Sequence, residues 1–199
     1  MKIYDISQEV FGCVVYPGDP APKREVLGDM AKGDVCNVTA FSMCAHNGTH
    51  VDAPSHFIQE GQTLSDMPLD RVVGYAVVVS HEGDVTAEDA KRMLAHAEQY
   101  YPHAAKRLLI KGNATLTLQA AKVLAEAGIW LYGNESQTVG PENAPMEVHL
   151  VLLGAGMMLL EGVRLSDVPD GAYFLCAAPL CLGGAEGAPC RAVLVDMGE

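Results

Sequence analysis

Runs of apolar and β-branched residues recur along the chain and predict buried strands. The clearest run covers residues 72–80, and shorter runs cover residues 108–110 and 129–132. Between them, residues 86–101 and 115–127 have apolar positions at helical spacing, and the second segment stops at Gly128. Strand and helix therefore alternate, which favours an α/β fold with a mainly parallel central sheet.

The two ends of the chain depart from this alternation. The N-terminal third is β-rich, and residues 192–196 form a further apolar segment of strand type. We expect these parts to add a second, mixed or antiparallel layer. Residues 16–22 hold three prolines and one glycine, which excludes helix and predicts a loop of fixed shape. No internal repeat or linker interrupts the sequence, so we predict one domain over residues 1–199.

Composition and charge narrow the classes of partner. Apolar residues make up 49% of the chain and charged residues only 19%, as in compact folded proteins. The 25 acidic and 13 basic side chains give a formal net charge of −12. Phosphate backbones and anionic membrane surfaces would be repelled by that charge. We therefore expect a small-molecule partner, and neither nucleic acid nor a membrane.

The apolar segments and the cysteines indicate a cytoplasmic protein. The N-terminal residues show no basic stretch followed by a long apolar segment, so no export signal is expected. The densest apolar run, residues 150–160, contains two glycines and is shorter than the roughly 20 residues that cross a bilayer. The six cysteines are scattered, without a Cys-x-x-Cys pair, and are predicted to be buried free thiols.

The segment from His46 to Phe57 has the composition of a metal site, because it places three histidines and one aspartate within a few positions. If the chain is extended around His50, the side chains of His50 and Asp52 point to the same side. Gly48 allows the chain to bend so that His46 can reach the same point. The segment therefore predicts a site with His46, His50 and Asp52 as ligands.

One histidine of this segment remains outside that ligand set. Pro54 keeps Ala53 extended and directs His56 away from the strand. Imidazole and carboxylate ligands suit Zn²⁺, Mn²⁺ or Fe²⁺ better than Ca²⁺, and three protein ligands leave an open position for water, which indicates catalysis. The alternative is that these histidines are ordinary surface or core residues, with Gly48 and Pro54 as turn formers.

A second segment carries two more polar candidates. His149 and Glu161 flank an apolar run, and residues 157–160 are predicted to be a buried strand. Glu161 would then lie at the C-terminal end of a strand, where α/β sheets bind their ligands, although a surface acid at a strand end is the alternative. The remaining histidines, His81, His96 and His103, lack ligand spacing and are predicted to lie on the surface.

The string His46-Asn-Gly-Thr-His50-Val-Asp52-Ala-Pro-Ser-His56-Phe57 resembles the signature of the cyclase-like metal-dependent hydrolases, the family that contains bacterial kynurenine formamidase (arylformamidase). Further similarity covers the whole chain: the opening Tyr-Asp-Ile-Ser, the loop at residues 16–19, His149 with Glu161, and residues 184–189. The resemblance implies a three-layer β/β/α fold and a homo-oligomer, either a dimer or a tetramer. It also implies a centre of one or two zinc ions, with manganese as the alternative.

The resemblance also implies roles for these residues. His46, His50 and Asp52 would bind one metal, Asp52 would bridge, and His149 with Glu161 would complete a second site. His56 would be the general acid/base, which suits an imidazole that exchanges protons near neutral pH. Hydrolysis would use water activated by the metal.

The expected substrate is a small amide, first of all an aryl formamide such as N-formylkynurenine, cleaved to kynurenine and formate. Kynurenine formamidases that resemble this chain carry Trp where it has Tyr16, an aromatic ring that can still stack on an aryl amide. That difference leaves room for cyclic amides such as isatin. Further alternatives are a metal-binding protein without turnover and an iron redox enzyme, for which the sequence shows no cofactor motif. Residues 133–137 are expected either to line the pocket or to form a plain surface loop.

Overall fold

The computed structural model of the protein describes residues 1–100 and 106–198. The predicted surface position of His103 lies outside them, as does residue 101 of the predicted helix 86–101; that helix ends at Ala97, so its predicted extension through residues 98–100 is wrong. Within the described residues the helices are α1 (Ala87–Ala97), α2 (Leu118–Glu126) and α3 (Met146–Gly154). The strands are β1 (Lys2–Asp5), β2 (Lys23–Gly28), β3 (Val38–Ser42), β4 (His50–Asp52), β5 (Val73–Ser80), β6 (Gly83–Val85), β7 (Arg107–Lys111), β8 (Ala114–Leu116), β9 (Leu131–Asn134), β10 (Met158–Glu161), β11 (Gly171–Cys176), β12 (Gly187–Pro189) and β13 (Val193–Asp196). Short 3₁₀ helices cover Met30–Lys32, Pro54–His56, Leu64–Asp66 and Leu69–Arg71.

One large sheet organises the described part of the chain, in the order β1-β13-β11-β5-β7-β9-β10-β4-β12. The four central strands β5, β7, β9 and β10 are parallel to their neighbours within that set. The strands on both flanks are antiparallel. Strands β2 and β3 form a small antiparallel sheet, and β6 and β8 a small parallel one. The predicted α/β class is confirmed, and the antiparallel layer is continuous with the parallel strands in one curled sheet.

Alternating side chains divide the core between the two faces of this sheet. On β7, Leu108 and Ile110 pack with the helices, whereas Leu109 points to the opposite face. On β10, Leu159 belongs to the helix side, and Leu160 packs inside the curl against residues of the flanking strands. Each fully buried leucine contributes roughly 2–3 kcal/mol of hydrophobic free energy. Because both faces of the central strands are buried in the core, these strands appear in the sequence as unbroken apolar runs.

The structure corrects the predicted start of the second helix. Residues 114–116 form strand β8, and α2 begins only at Leu118. The Thr117 side chain accepts a hydrogen bond from the backbone N–H of Ala120, and so caps the helix N-terminus. Because a threonine cap ends the extended segment at that point, the two residues before it pair with β6 instead of joining the helix.

The apolar run at residues 150–160 also differs from its prediction, which identified only a strand. The run is divided between the end of α3 and strand β10, with Gly156 at a φ of 73° between them. In α3 the polar residues Glu147 and His149 stand near the start, and residues 150–153 are all apolar, so the sequence shows no helical period there. His149 therefore lies on a helix and Glu161 on a strand.

The predicted burial of the cysteines is wrong for two of them. All six are free, but Cys36 and Cys181 are exposed, and the other four are partly buried. Across the described residues, the helices are too short or too polar to span a membrane.

Candidate metal centre

The pairing of β4 with β10 brings together three of the predicted ligands. His50 lies directly opposite Glu161, and Asp52 lies opposite Leu159. Val51 and Leu160 face the inner core, so the alternation of side chains turns the three polar residues to the helix side. There they are at most 2% exposed. The sheet register therefore collects an imidazole and two carboxylates at one buried point.

His46 reaches the same point from the loop before β4. Gly48 has a φ of 64°, which reverses the chain as the sequence predicted. The Asn47 side chain accepts a hydrogen bond of 2.9 Å from the Cys44 backbone N–H and holds the turn. His46 Nδ1 consequently lies 2.9 Å from Asp52 Oδ1.

Two histidines present the same ring nitrogen to the carboxylates. His50 Nδ1–H donates to the carbonyl oxygen of Gly48 at 3.0 Å, and His149 Nδ1–H donates to that of Pro145 at 2.9 Å. This leaves Nε2 of each ring without its proton when the imidazole is neutral, which is the state of a metal ligand. His50 Nε2 is 3.4 Å from Glu161 Oε2, and His149 Nε2 is 3.2 Å from Glu161 Oε1.

The donor atoms form two groups that share one carboxylate. His46, His50 and Asp52 offer ligand atoms within 4.8 Å of one another, as do Asp52, His149 and Glu161. Within the described residues, His50 Nε2 and Asp52 Oδ2 are buried and lack a hydrogen-bond partner. Buried polar atoms normally have partners, and a divalent cation between them would satisfy both. The residues fit one or two metal ions.

The electrostatics of the cluster agree with a cation site. Burial lowers the pKa of His50, but the carboxylates of Asp52 and Glu161 outweigh burial and raise this pKa well above its usual value. Burial raises the pKa of Asp52, yet the neighbouring His50 and His46 hold it well below its usual range. The pKa values of His46 and His149 are also raised, because their carboxylate neighbours outweigh burial. The carboxylates thus create a field that favours positive charge.

His56 lies beside the predicted ligands and belongs to neither group. Pro54 opens the short 3₁₀ helix, with Ala53 extended before it as predicted. The His56 ring stacks on His46 with ring centres 4.1 Å apart, and its ring centre is 6.0 Å from that of His149. Burial and the neighbouring His46 lower the pKa of His56. A mainly neutral imidazole therefore stands at the cluster.

The cluster forms the floor of a cavity of about 240 Å³. Tyr16 lines it, and the Tyr16 hydroxyl donates to the carbonyl oxygen of Glu142 at 3.0 Å, so the ring is fixed at the rim. Phe57 also lines the cavity and stacks on the His149 ring at 4.6 Å between centres. The cavity thus combines a polar floor with two aromatic rings, a combination that suits an aromatic ligand.

Residues 133–137 were expected either to line the pocket or to form a plain surface loop, and different residues of the segment do different things. Gln137 lines the cavity, and its Nε2 donates to the Gly48 carbonyl oxygen at 2.9 Å. Glu135 instead accepts hydrogen bonds from the backbone N–H groups of Gly112 and Leu165 at 2.7 and 2.9 Å. One residue of the segment therefore belongs to the pocket, and another ties loops together behind it.

The structure brings together every predicted site residue, and it adds three that sequence reasoning missed. Glu186 Oε1 lies 3.3 Å from His46 Nε2, Gly187 packs under the His46 ring, and Asp19 lines the cavity. The segments 16–19 and 184–189 carried these residues, but a single sequence gives no sign of which side chain faces the site. His81 and His96 do not line the cavity.

Comparison with known proteins gives the family context of this geometry. The Cyclase family model, described as "Putative cyclase", matches residues 4–141. A kynurenine formamidase of Erythrobacter litoralis is 33% identical over an alignment of 207 positions, which covers 98% of this chain and 94% of that protein.

Two solved structures share the fold over nearly the full length. A potential metal-dependent hydrolase with cyclase activity superposes with a TM-score of 0.82 and 29% identity, over 100% of this chain and 99% of that one. Isatin hydrolase A of Labrenzia aggregata superposes with a TM-score of 0.81 and 22% identity, over 97% and 93% of the two chains. The family model matches more than half of the chain and the formamidase relative is similar over almost all of it, so the chain belongs to the Cyclase family.

Proposed function

We propose that the protein is a metal-dependent hydrolase of aryl formamides, which adds water to a substrate such as N-formylkynurenine and releases the aryl amine and formate. The observation that carries this proposal is the pair of ligand groups sharing Asp52, with the unliganded His56 beside them. The formamidase relative, similar over almost the entire chain, supports the substrate class.

The ligand set would be divided as the two groups suggest. His46, His50 and Asp52 would hold one ion, and His149 and Glu161 would hold a second with Asp52 as the bridge. A divalent metal bound here supplies Lewis acidity, which polarises a carbonyl group and lowers the pKa of water. Nitrogen and carboxylate ligands favour zinc, with manganese as the alternative.

His56 is the proposed general acid/base. In its neutral form it can accept a proton from the attacking water at the unprotonated ring nitrogen, and then deliver that proton to the departing amide nitrogen. The lowered pKa keeps the imidazole neutral and able to accept a proton near neutral pH. Tyr16 and Phe57 would hold the aromatic ring of the substrate, which restricts the orientation of the formyl group above the ligands.

Hydrolysis of N-formylkynurenine, followed as kynurenine release, tests the proposal. Turnover should disappear after chelation and return with zinc or manganese. His56→Ala should lower kcat by about 10²- to 10⁴-fold, the usual range for loss of a general acid/base. His96→Ala removes an exposed histidine outside the cavity and should keep kcat.

Two results would each overturn a part of the proposal. If His56→Ala retains full kcat, His56 is not the acid/base. If the metal-loaded protein binds its ions but leaves every aryl formamide intact, the formamidase assignment is wrong, and cyclic amides such as isatin become the substrates to test.

We also propose a homo-oligomer, a dimer or a tetramer. The hairpin of β2 and β3 carries exposed apolar side chains, among them Val26, Leu27 and Phe41, which are 54–59% exposed. Apolar patches of this kind are typical of surfaces that associate. Light scattering during size-exclusion chromatography would contradict this proposal if it gave only the monomer mass.

A cytoplasmic location is proposed as well. The six free thiols support it, since reducing compartments keep cysteines unpaired. Detection of the protein mainly outside the cytoplasmic fraction would overturn this assignment.

A further inference from the structure

The cavity lining beyond the proposed ligands and His56 carries charge of one sign only. Asp19 stands at the side of the cavity that Tyr16 forms, and the described lining residues include no Lys or Arg. A substituent of the bound molecule that points away from the metal-binding residues therefore meets a carboxylate and no cation. The net charge of −12 adds to this field.

The Asp19 carboxylate is held in place before any ligand binds. The backbone N–H of Asp19 donates to the Tyr16 carbonyl oxygen at 3.1 Å and closes a turn. Gly18 has a φ of 102° within that turn, and Pro17 and Pro20 restrict the chain on both sides. The Cys44 thiol donates to Asp19 Oδ2 at 3.7 Å. A carboxylate fixed in this way loses little conformational entropy when it pairs with a ligand.

Asp19 also lacks a counter-charge within the described part of the chain, where the ion pairs of lysine and arginine involve other carboxylates. The carboxylate is only partly exposed, so an ammonium group beside it would be attracted more strongly than at an open surface. A second carboxylate at the same position would be repelled.

We propose that Asp19 determines substrate specificity by selecting amides whose side chain ends in an ammonium group and carries no carboxylate. This inference rests on the proposed function and names the class of aryl formamide: N-formylkynuramine fits better than N-formylkynurenine, whose carboxylate finds no cation in the lining. Asp19 pairs with the ammonium group, while the formyl group lies over the metal ligands.

Four compounds with the same formylated ring separate the effects of the two charges. They are 2-formamidoacetophenone, N-formylkynuramine, N-formylkynurenine and 3-(2-formamidobenzoyl)propanoate, which carry no charge, an ammonium group, both groups and a carboxylate. We expect kcat/KM to be highest for the ammonium compound and lowest for the carboxylate. The ratio of the ammonium to the neutral compound should be about fivefold, the upper range for a partly exposed ion pair, and should shrink in high salt.

Asp19→Asn removes the charge while keeping the size of the side chain. It should abolish the roughly fivefold preference for the ammonium compound, mainly through KM. Asp167→Asn is the matched control, because Asp167 is exposed and does not line the cavity. This control should keep the preference of the unaltered protein.

Binding of the four corresponding amines, measured by calorimetry on the metal-loaded protein, separates this inference from the proposed function. If the compounds are not hydrolysed but kynuramine binds better than the neutral amine, and Asp19→Asn removes that difference, the proposed reaction fails and the role of Asp19 stands. If the formamides are hydrolysed but neither kcat/KM nor affinity depends on side-chain charge, or Asp19→Asn leaves the preference intact, the role of Asp19 is overturned.

Discussion

His46 and Gly187 lie in such close contact that a Cβ atom on Gly187 would be 2.5 Å from His46 Cε1. Gly187 is on β12, opposite Asp52 on the neighbouring strand β4. The missing side chain leaves the space in which the imidazole reaches Asp52, with Nδ1 of His46 at 2.9 Å from Oδ1 of Asp52. A glycine on an edge strand thus sets the position of a proposed metal ligand.

Gly187→Ala should weaken metal binding at least tenfold, or by about 1.4 kcal/mol, because the His46 ring must move away from the added methyl group. Titration calorimetry with zinc would measure the affinity. Gly183→Ala is the matched control, since its Cβ would have no atom within 4 Å. Equal zinc affinities in the two variants would contradict the steric role of Gly187.

Both ligand groups include Asp52, so its removal should affect the binding of both metal ions. Asp52→Ala should lose all tightly bound metal, whereas His149→Ala should retain an ion at His46, His50 and Asp52. Elemental analysis after dialysis measures the number of ions per chain, and His81→Ala provides a control outside the cavity. An Asp52→Ala protein with unchanged metal content would show that Asp52 is not a ligand.

Gly162 occupies a position that other residues cannot share. Its φ is 68°, and an added Cβ would lie 2.3 Å from the Gly48 carbonyl oxygen and 2.4 Å from Gln137 Oε1. Gly162→Ala should therefore lower the free energy of unfolding by more than about 2 kcal/mol, through backbone strain and overpacking together.

The matched control for this prediction is Gly154→Ala at the end of α3, where a Cβ would have no atom within 4 Å. It should leave stability unchanged or raise it by up to about 1 kcal/mol, since alanine reduces the entropy of the unfolded chain. Urea denaturation compares the variants. A loss of similar size in both would mean that close contact at Gly162 is not the cause.

Asp170 links the start of β11 to β5 in a pH-dependent way. Burial raises its pKa, but hydrogen bonds from Ser80 and the ion pair with Lys111 outweigh burial and hold the pKa below the usual 3.8. A carboxyl group with a lowered folded-state pKa contributes stability above its unfolded pKa and loses it as pH falls through the folded value.

Asp170→Asn should therefore cost about 1 kcal/mol at pH 7, discounted for the partial exposure of the side chain. The difference from the unaltered protein should shrink as pH falls below about 4. Urea denaturation between pH 3 and pH 7 measures it. A difference that stays constant down to pH 3 would contradict the assigned pKa direction.

Local patterns accounted for much of the architecture. The apolar runs around β5, β7 and β9 predicted the parallel strands because strands buried on both faces have few polar positions. The segment from His46 to Asp52 predicted its own geometry, since alternation along a strand and a left-handed glycine are properties of a few neighbouring residues. Where a cap competed with an apolar pattern, as at Thr117, the predicted boundary was displaced.

By itself, the sequence determined the α/β class, the convergence of His50 with Asp52 and the separate position of His56, because these depend on local backbone geometry and apolar periodicity. Only the tertiary structure decided that Glu161 lies opposite His50, that His149 approaches from α3, and that Glu186, Gly187 and Asp19 surround the same cavity. Those contacts join residues up to 140 positions apart. They depend on strand register and on how the sheet and helices pack, which no short stretch of sequence encodes.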